Sequence, residues 1–137
     1  MKGHLTIPSP VSEISTNWIS EHNSNILLKR DDLIHPIISG NKWRKLSGIL
    51  AKNRSSDYDS LITFGGAYSN HLLAVAAVCS ILKIRCKAFV RGEAPKTLNA
   101  VLKMCKMYGM ELAFISRENY QKSNRKSGVF DRTLFIP

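Results

Sequence analysis

A chain of 137 residues suits one modest domain with a core of its own. Its hydrophobic fraction of 44% and charged fraction of 22% are ordinary for a soluble globular protein, and no apolar run is long enough to span a bilayer. The formal net charge of +10 admits an acidic partner. However, the basic residues are scattered over helical stretches (Arg44, Lys45, Lys52, Arg54) and loops (Lys122, Arg125, Lys126), with no aromatic-rich strand of the RNA-binding kind, which argues against nucleic acid.

Residues Met1 to Pro10 lack the apolar block of a signal peptide, so a cytoplasmic location is the default expectation. Met1 to Ser24 reads as mostly irregular, with a short helical possibility at Val11 to Ser20. Asn25 to Lys29 is a short apolar strand. Arg30, Asp31 and Asp32 follow; the aspartates read as a turn, with at least one pairing to Arg30 or Arg44. Pro36 keeps Leu33 to Ile38 extended or turning.

Ser39 to Leu46 reads Ser-Gly-Asn-Lys-Trp-Arg-Lys-Leu. The pattern predicts a helix from about Lys42 to Asn53, with Trp43, Leu46, Ile49 and Leu50 on one stripe. Lys42 falls where that helix begins, beside unpaired N–H groups that carry partial positive charge. A cation is electrostatically misplaced there, so the neutral amine is easier to reach, and Lys45, one turn on, pushes the same way. A neutral amine can attack an aldehyde to form a Schiff base. The plain alternative is a solvated basic first turn.

Asn53 to Asp59 is a polar loop, and Leu61 to Phe64 is a strand ended by Gly65 and Gly66. Thr63 to His71 (Thr-Phe-Gly-Gly-Ala-Tyr-Ser-Asn-His) joins that strand to a helix at Asn70 to Leu82. The helix is apolar on most sides, so it should be well buried. The joining turn lies at the carboxyl end of a parallel strand, where ligands of α/β proteins gather. The glycines permit close backbone approach. Ser69, Asn70 and the first free N–H groups of the helix form a natural site for a carboxylate or phosphate. Equally, Ser69 or Asn70 simply caps the helix. The spacing is neither GxGxxG nor a P-loop. His71 reads as a base or as a polar end group. Tyr68 reads as a stacking platform or, more in keeping with its setting, as a residue packed on the neighbouring loop.

Lys83 to Arg85 is a turn, and Cys86 to Val90 a strand. A helix is predicted from about Thr97 to Tyr108, with Gly109 as its left-handed cap, and a strand at Glu111 to Ile115. This order predicts parallel βαβ units with right-handed crossovers. Ser116 to Gly128 is a helix or a mobile loop, and Leu134 to Pro137 begins a further strand. Cys79, Cys86 and Cys105 have no CxxC spacing and are expected as buried free thiols, with no metal site indicated.

Three stretches taken together are more specific than any one. Leu28-Lys29-Arg30-Asp31-Asp32-Leu33, Ser39 to Leu46, and Gly65-Gly66-Ala67-Tyr68-Ser69-Asn70-His71 resemble the 1-aminocyclopropane-1-carboxylate (ACC) deaminase / D-cysteine desulfhydrase family. These are pyridoxal-phosphate enzymes with the tryptophan synthase β-subunit fold. The likeness runs from about Asn25 to Tyr120. It implies an α/β fold of type II built from parallel βαβ units, here incomplete. Residues 1–45 would belong to the larger cofactor domain, 46–130 to the smaller βαβ domain, and 131–137 would start a strand returning to the remainder. The resemblance implies that Lys42 holds pyridoxal phosphate, that Lys45 lies near its phosphate, and that Asn70 hydrogen-bonds its 3′ oxygen. Ser69 and the following helix start, with Asn70 and His71, would receive the substrate carboxylate and the reacting carbon, which makes Lys42 and Ser69 the implied catalytic pair.

The implied reaction breaks a small amino acid down to ammonia and a 2-oxo acid. D-Cysteine would give pyruvate and sulfide as well; in the deaminase a cyclopropane ring opens. His71 resembles the desulfhydrase-type members, since some deaminases have Gln there. Family chains run to about twice this length, and their second half grips the phosphate and the pyridine nitrogen. They resemble homodimers. The chain is therefore expected to be an N-terminal portion with weak or no activity alone. Two other readings stand beside this one. A basic βαβ binding module would lose its partner steeply with salt, and a non-functional fragment would expose a large apolar face.

Overall fold

Alternate residues of a strand point to opposite faces, and burial in the central strands follows that period. In β4 (Arg85–Arg91), Cys86, Ala88 and Val90 are buried, while Arg85, Lys87, Phe89 and Arg91 lie on the other face. The computed structural model describes residues 5–53, 56–123 and 127–137. It contains a five-stranded sheet of order β5-β4-β3-β7-β6 and a separate two-stranded sheet of β1 (Val11–Ile14) and β2 (Ile26–Lys29). Strands β3 (Ser60–Gly66), β4, β5 (Met110–Ile115) and β7 (Thr133–Ile136) are parallel, and β6 (Gly128–Phe130) pairs antiparallel with β7.

Three helices build the core against the buried sheet face. Helix α3 (Asn70–Leu82) buries Leu72 and every residue from Ala74 to Cys79, as its nearly all-round apolar sequence requires. It stops at Lys83, whose left-handed φ of 57° lets its N–H reach the carbonyls of Cys79 and Ser80. Helix α4 (Ala100–Met107) starts at Asn99, whose side chain accepts from the Leu102 N–H, and Gly109 follows it with φ +85°. Helix α2 (Gly40–Lys52) adds Trp43 and Leu46 to the same core as Leu61, Leu102, Leu134 and Ile136. The three cysteines are free and buried, as expected, and burial pushes the Cys105 thiol up to about 11. Among the described residues no helix is long and apolar enough to cross a membrane.

The structure departs from the sequence expectations at the N-terminal segment and resolves others that the sequence left open. Val11 to Ser20 is not one helix: β1 pairs with β2, and only α1 (Asn17–Glu21) is helical, because Thr16 caps it by accepting from the Ile19 N–H. Ser116 to Gly128 contains a defined helix, α5 (Arg117–Ser123). Trp43 and Leu46, both in α2, lie in one core. The C-terminal strand β7 lies beside β3 in the sheet, with Leu61 opposite Leu134. Its outer edge is covered by β6 through a two-residue turn, Asp131 and Arg132, both at positive φ.

The turn between β3 and α3 is set by a close approach. A Cβ at Gly65 would lie 2.7 Å from Leu72 Cγ and 3.1 Å from Ser69 Cβ, and Leu72 is fully buried. Gly65→Ala must push the root of a packed side chain rather than a mobile tip. It should cost about 1–3 kcal/mol, measured as a lower urea midpoint with unchanged slope. An unchanged midpoint would show that α3 can shift freely.

Candidate active site

The first wall of the site is the start of α2. Gly40 has φ +57°, a conformation that glycine adopts without strain, and nothing crowds its missing Cβ, so the turn demands the glycine rather than space. Ser39 precedes it as N-cap with an extended backbone but no capping bond from its side chain. The Lys42 N–H donates to the Ser39 carbonyl at 3.2 Å, and Lys42 Nζ donates to Asn41 Oδ1 at 3.2 Å.

A bidentate ion pair ties this helix to the segment before it. Arg44 Nε and Nη2 donate to Asp31 Oδ2 and Oδ1 at 2.9 and 2.7 Å, and the Ser9 hydroxyl donates to Oδ1 as well. These hydrogen bonds hold the Asp31 carboxyl well below its ordinary value. Arg30 forks Asp32 in turn, so both aspartates are paired, one more than the turn required.

The second wall is the start of α3. Ser69 is its N-cap, yet its side chain makes no capping bond, so the capping alternative fails for that hydroxyl; its N–H donates to Gly66 O at 3.0 Å. Asn70 opens the helix and is exposed. His71 points inward and its Nε2 lies 2.9 Å from the hydroxyl of Thr63, which is fully buried in β3. Asn99 adds a long-range tie: its Nδ2 donates to Ala67 O at 2.9 Å while its Oδ1 caps α4. Neither Thr63 nor Asn99 was singled out from sequence. The cap signal of an asparagine before an apolar helix was readable, but its bond across to the glycine turn was not. Tyr68, expected to pack, is 81% exposed at the tip of the turn.

The two walls meet. Asn41, Lys42, Asn70 and Leu73 line one cavity of about 350 Å³ with Ile37 and Ser39. Lys42 and Lys45 both stand near enough to His71 to act on it: burial first, then these two charges, hold its imidazole below the ordinary 6.5. Ser69 is not among the residues lining the cavity, although it directly precedes Asn70, and neither is Lys45, whose charge acts on His71. The arrangement offers a primary amine and an amide in one concavity beside a neutral imidazole, with two lysines that have no carboxylate partner among the described residues.

These shifts define two pH windows. His71 stays neutral in the fold where the unfolded chain takes up a proton, so stability should fall as pH drops below about 6.5. Urea midpoints on either side of that pH should show the decline in the parent chain and less of it in His71→Asn. An equal decline in both would place the titration elsewhere. Thr63→Val removes the imidazole's partner and should cost about 1–3 kcal/mol above the window. The second window is lower: the stability that Asp31 gives is complete above its ordinary 3.8 and is lost as pH falls through its lower folded value, and Asp31→Asn should lack that acid limb.

Comparison with known proteins follows this geometry. A family model described as pyridoxal-phosphate dependent enzyme matches residues 7–130. A putative ACC deaminase of Thermotoga maritima is 34% identical over 124 residues, which is 90% of this chain and 38% of that protein. A putative mitochondrial D-cysteine desulfhydrase of Oryza sativa is 36% identical over 91 residues, 66% of this chain and 22% of that one. The crystal structure of an ACC deaminase homologue superposes with a TM-score of 0.70 at 25% identity, over 98% of this chain and 43% of its own. The chain thus spans less than half the length of each of these proteins, and its α/β architecture matches the solved one along nearly its whole length. A parallel sheet with a lysine and an asparagine converging at its carboxyl end, matched by the family model from residue 7 to residue 130, leads to one assignment: the chain belongs to the pyridoxal-phosphate dependent enzyme family.

Proposed function

We propose that this chain carries the lysine-bearing part of a lyase or deaminase that breaks down a small amino acid, of the D-cysteine desulfhydrase kind, with ACC ring opening as the alternative. The observation that carries the reading is the shared cavity of Lys42 and Asn70. Its donor set fits pyridoxal phosphate: a primary amine for the aldehyde carbon and an amide for the neighbouring ring oxygen, with the charge of Lys45 suited to the phosphate. When bound, pyridoxal phosphate supplies the electron sink that makes an amino acid's α-hydrogen acidic.

The chain's own groups have separate tasks. The N–H groups opening α3, with Ser69 and Asn70, receive the substrate carboxylate; Ser69 Oγ suits this because it is not engaged in capping. Lys42 would hold the cofactor through Nζ and, as a free amine, would serve as a base in the cavity it lines. His71 keeps Nε2 on Thr63 and so presents Nδ1, neutral at the usual working pH, as a place to hold a proton beside the leaving group. His71 favours the desulfhydrase reading over the deaminase one. The described cavity lining contains no arginine and no acid, so the chain by itself lacks a full set of cofactor contacts, and we infer weak turnover without further protein. A pairing of two copies in the intact enzyme belongs to the same proposal.

Borohydride trapping tests the central claim. The chain mixed with pyridoxal phosphate and reduced should carry a single adduct on Lys42 by peptide mass, and Lys42→Ala should carry none there. Adducts spread evenly over many lysines would sink the reading. Rapid release of pyruvate from D-cysteine by the 137-residue chain would overturn the inference of weak turnover alone.

A further inference from the structure

The described arginines divide into two groups. Arg30 and Arg44 pair with Asp32 and Asp31, and Arg85 and Arg132 both reach Asp59. Arg91 and Arg117 meet no carboxylate among the described residues. These two line the same cavity, about 450 Å³, together with Tyr120 and Gln121.

The sheet brings them together. Arg91 ends β4 and lies opposite Ile115, the last residue of β5. The next N–H, that of Gly92, donates to Ile115 O at 2.8 Å and fastens the two strand ends. Two residues beyond Ile115, Arg117 begins α5, and the Tyr120 N–H donates to Ser116 O at 2.9 Å to close its first turn. The Arg91 guanidinium lies 5.7 Å from the centre of the Tyr120 ring, whose edge meets Phe64 at 6.2 Å. An arginine placed over an aromatic ring keeps its five donors and loses rotamer freedom.

The same face shows what neutralisation looks like. Four residues before Arg91, Lys87 is bonded at 2.6 Å to Glu111 on the paired strand. At Arg91 the cross-strand partner is an isoleucine instead. Glu118, next to Arg117, is engaged by Lys122 at 2.7 Å, and Glu93 makes no ion pair with either arginine. Two cations in one concavity without an acid repel each other, and an oxyanion between their planar forks relieves that repulsion.

We propose that Arg91, Arg117 and Tyr120 form an oxyanion site for a carboxylate or phosphate group. It is separate from the Lys42 cavity, since the two share no lining residue. As a free-anion site it stands whether or not the reading of Lys42 does; as a site for the distal group of an amino acid held at Lys42 it rests on that reading. Its occupant is either a free small anion or the distal acidic group of a bound amino acid.

The test uses arginine side-chain N–H signals in the 137-residue chain. Inorganic phosphate is one probe, aspartate the second, and alanine, without a distal carboxylate, the control. Saturable shifts at Arg91 and Arg117 with phosphate alone support a free-anion site. Shifts with aspartate but not alanine support recognition of a distal carboxylate. Arg91→Gln or Arg117→Gln should weaken binding at least about tenfold. Arg91→Lys should weaken it too, because lysine keeps the charge but not the fork. Arg85→Gln, at the other end of β4, should leave it unchanged. No saturable shift with either probe, or equal weakening by Arg85→Gln and Arg91→Gln, overturns the proposal.

Discussion

Leu72 can lie against β3 only because residue 65 has no side chain. The contact that a Cβ would make there, 2.7 Å to Leu72 Cγ, is shorter than packed carbons tolerate. That single approach fixes where α3 starts relative to the strand, and the site follows from it. The backbone turns at Gly66 and Ser69, Asn70 opens the helix, and His71 comes back over β3 to reach Thr63. A helix set farther out would leave Thr63, fully buried, without its imidazole partner, and a buried unpaired hydroxyl is costly. The apolar packing and the polar bond therefore select the same helix position.

The other wall depends on charge. Asp31 takes the fork of Arg44 and the hydroxyl of Ser9, so the basic start of α2 is anchored by neutralising one of its cations. Lys42 and Lys45 remain without a carboxylate, and their effect is felt at His71. One aspartate thus fixes the helix while leaving an uncompensated positive potential over the cavity. Had Asp31 paired with Lys42 instead, the amine would be tied to a carboxylate. The geometry of arginine, planar and bidentate, makes Arg44 the better partner and leaves the lysine available.

Much of this was legible in the chain. The limits of α3 at Asn70 and Leu82 can be read because an unbroken apolar run lies between a glycine turn and a charged end. The βαβ order, the buried thiols and the pairing of Asp31 were readable for similar local reasons. What was not legible depends on distance in the fold or on unusual backbone. Helix α2 begins two residues earlier than its apolar stripe suggests, because Gly40 enters it at φ +57°. The β6–β7 hairpin turns on Asp131 and Arg132 at positive φ, although Asp-Arg carries none of the glycine signal that such turns usually show. Strand β1 alternates half-buried with exposed residues over four positions, too few to separate from a helix by period. The bonds from Thr63 to His71 and from Asn99 to Ala67 exist only once sheet and helices are assembled.

The net charge of +10 takes on meaning from where the acids lie. At the amino ends of the strands, Asp59 meets Arg85 and Arg132, and nearby Glu111 meets Lys87. Beside the carboxyl ends, Lys42, Lys45, Arg91 and Arg117 pair with no acid among the described residues, and α3 directs its N-terminal N–H groups to the same side. Helix dipole and side-chain charge therefore add there instead of cancelling. Like charges gathered at one sheet end repel one another, and a bound anion would offset that repulsion. Part of that positive charge is gathered in concave places, with Arg91 and Arg117 lining one cavity and Lys42 another.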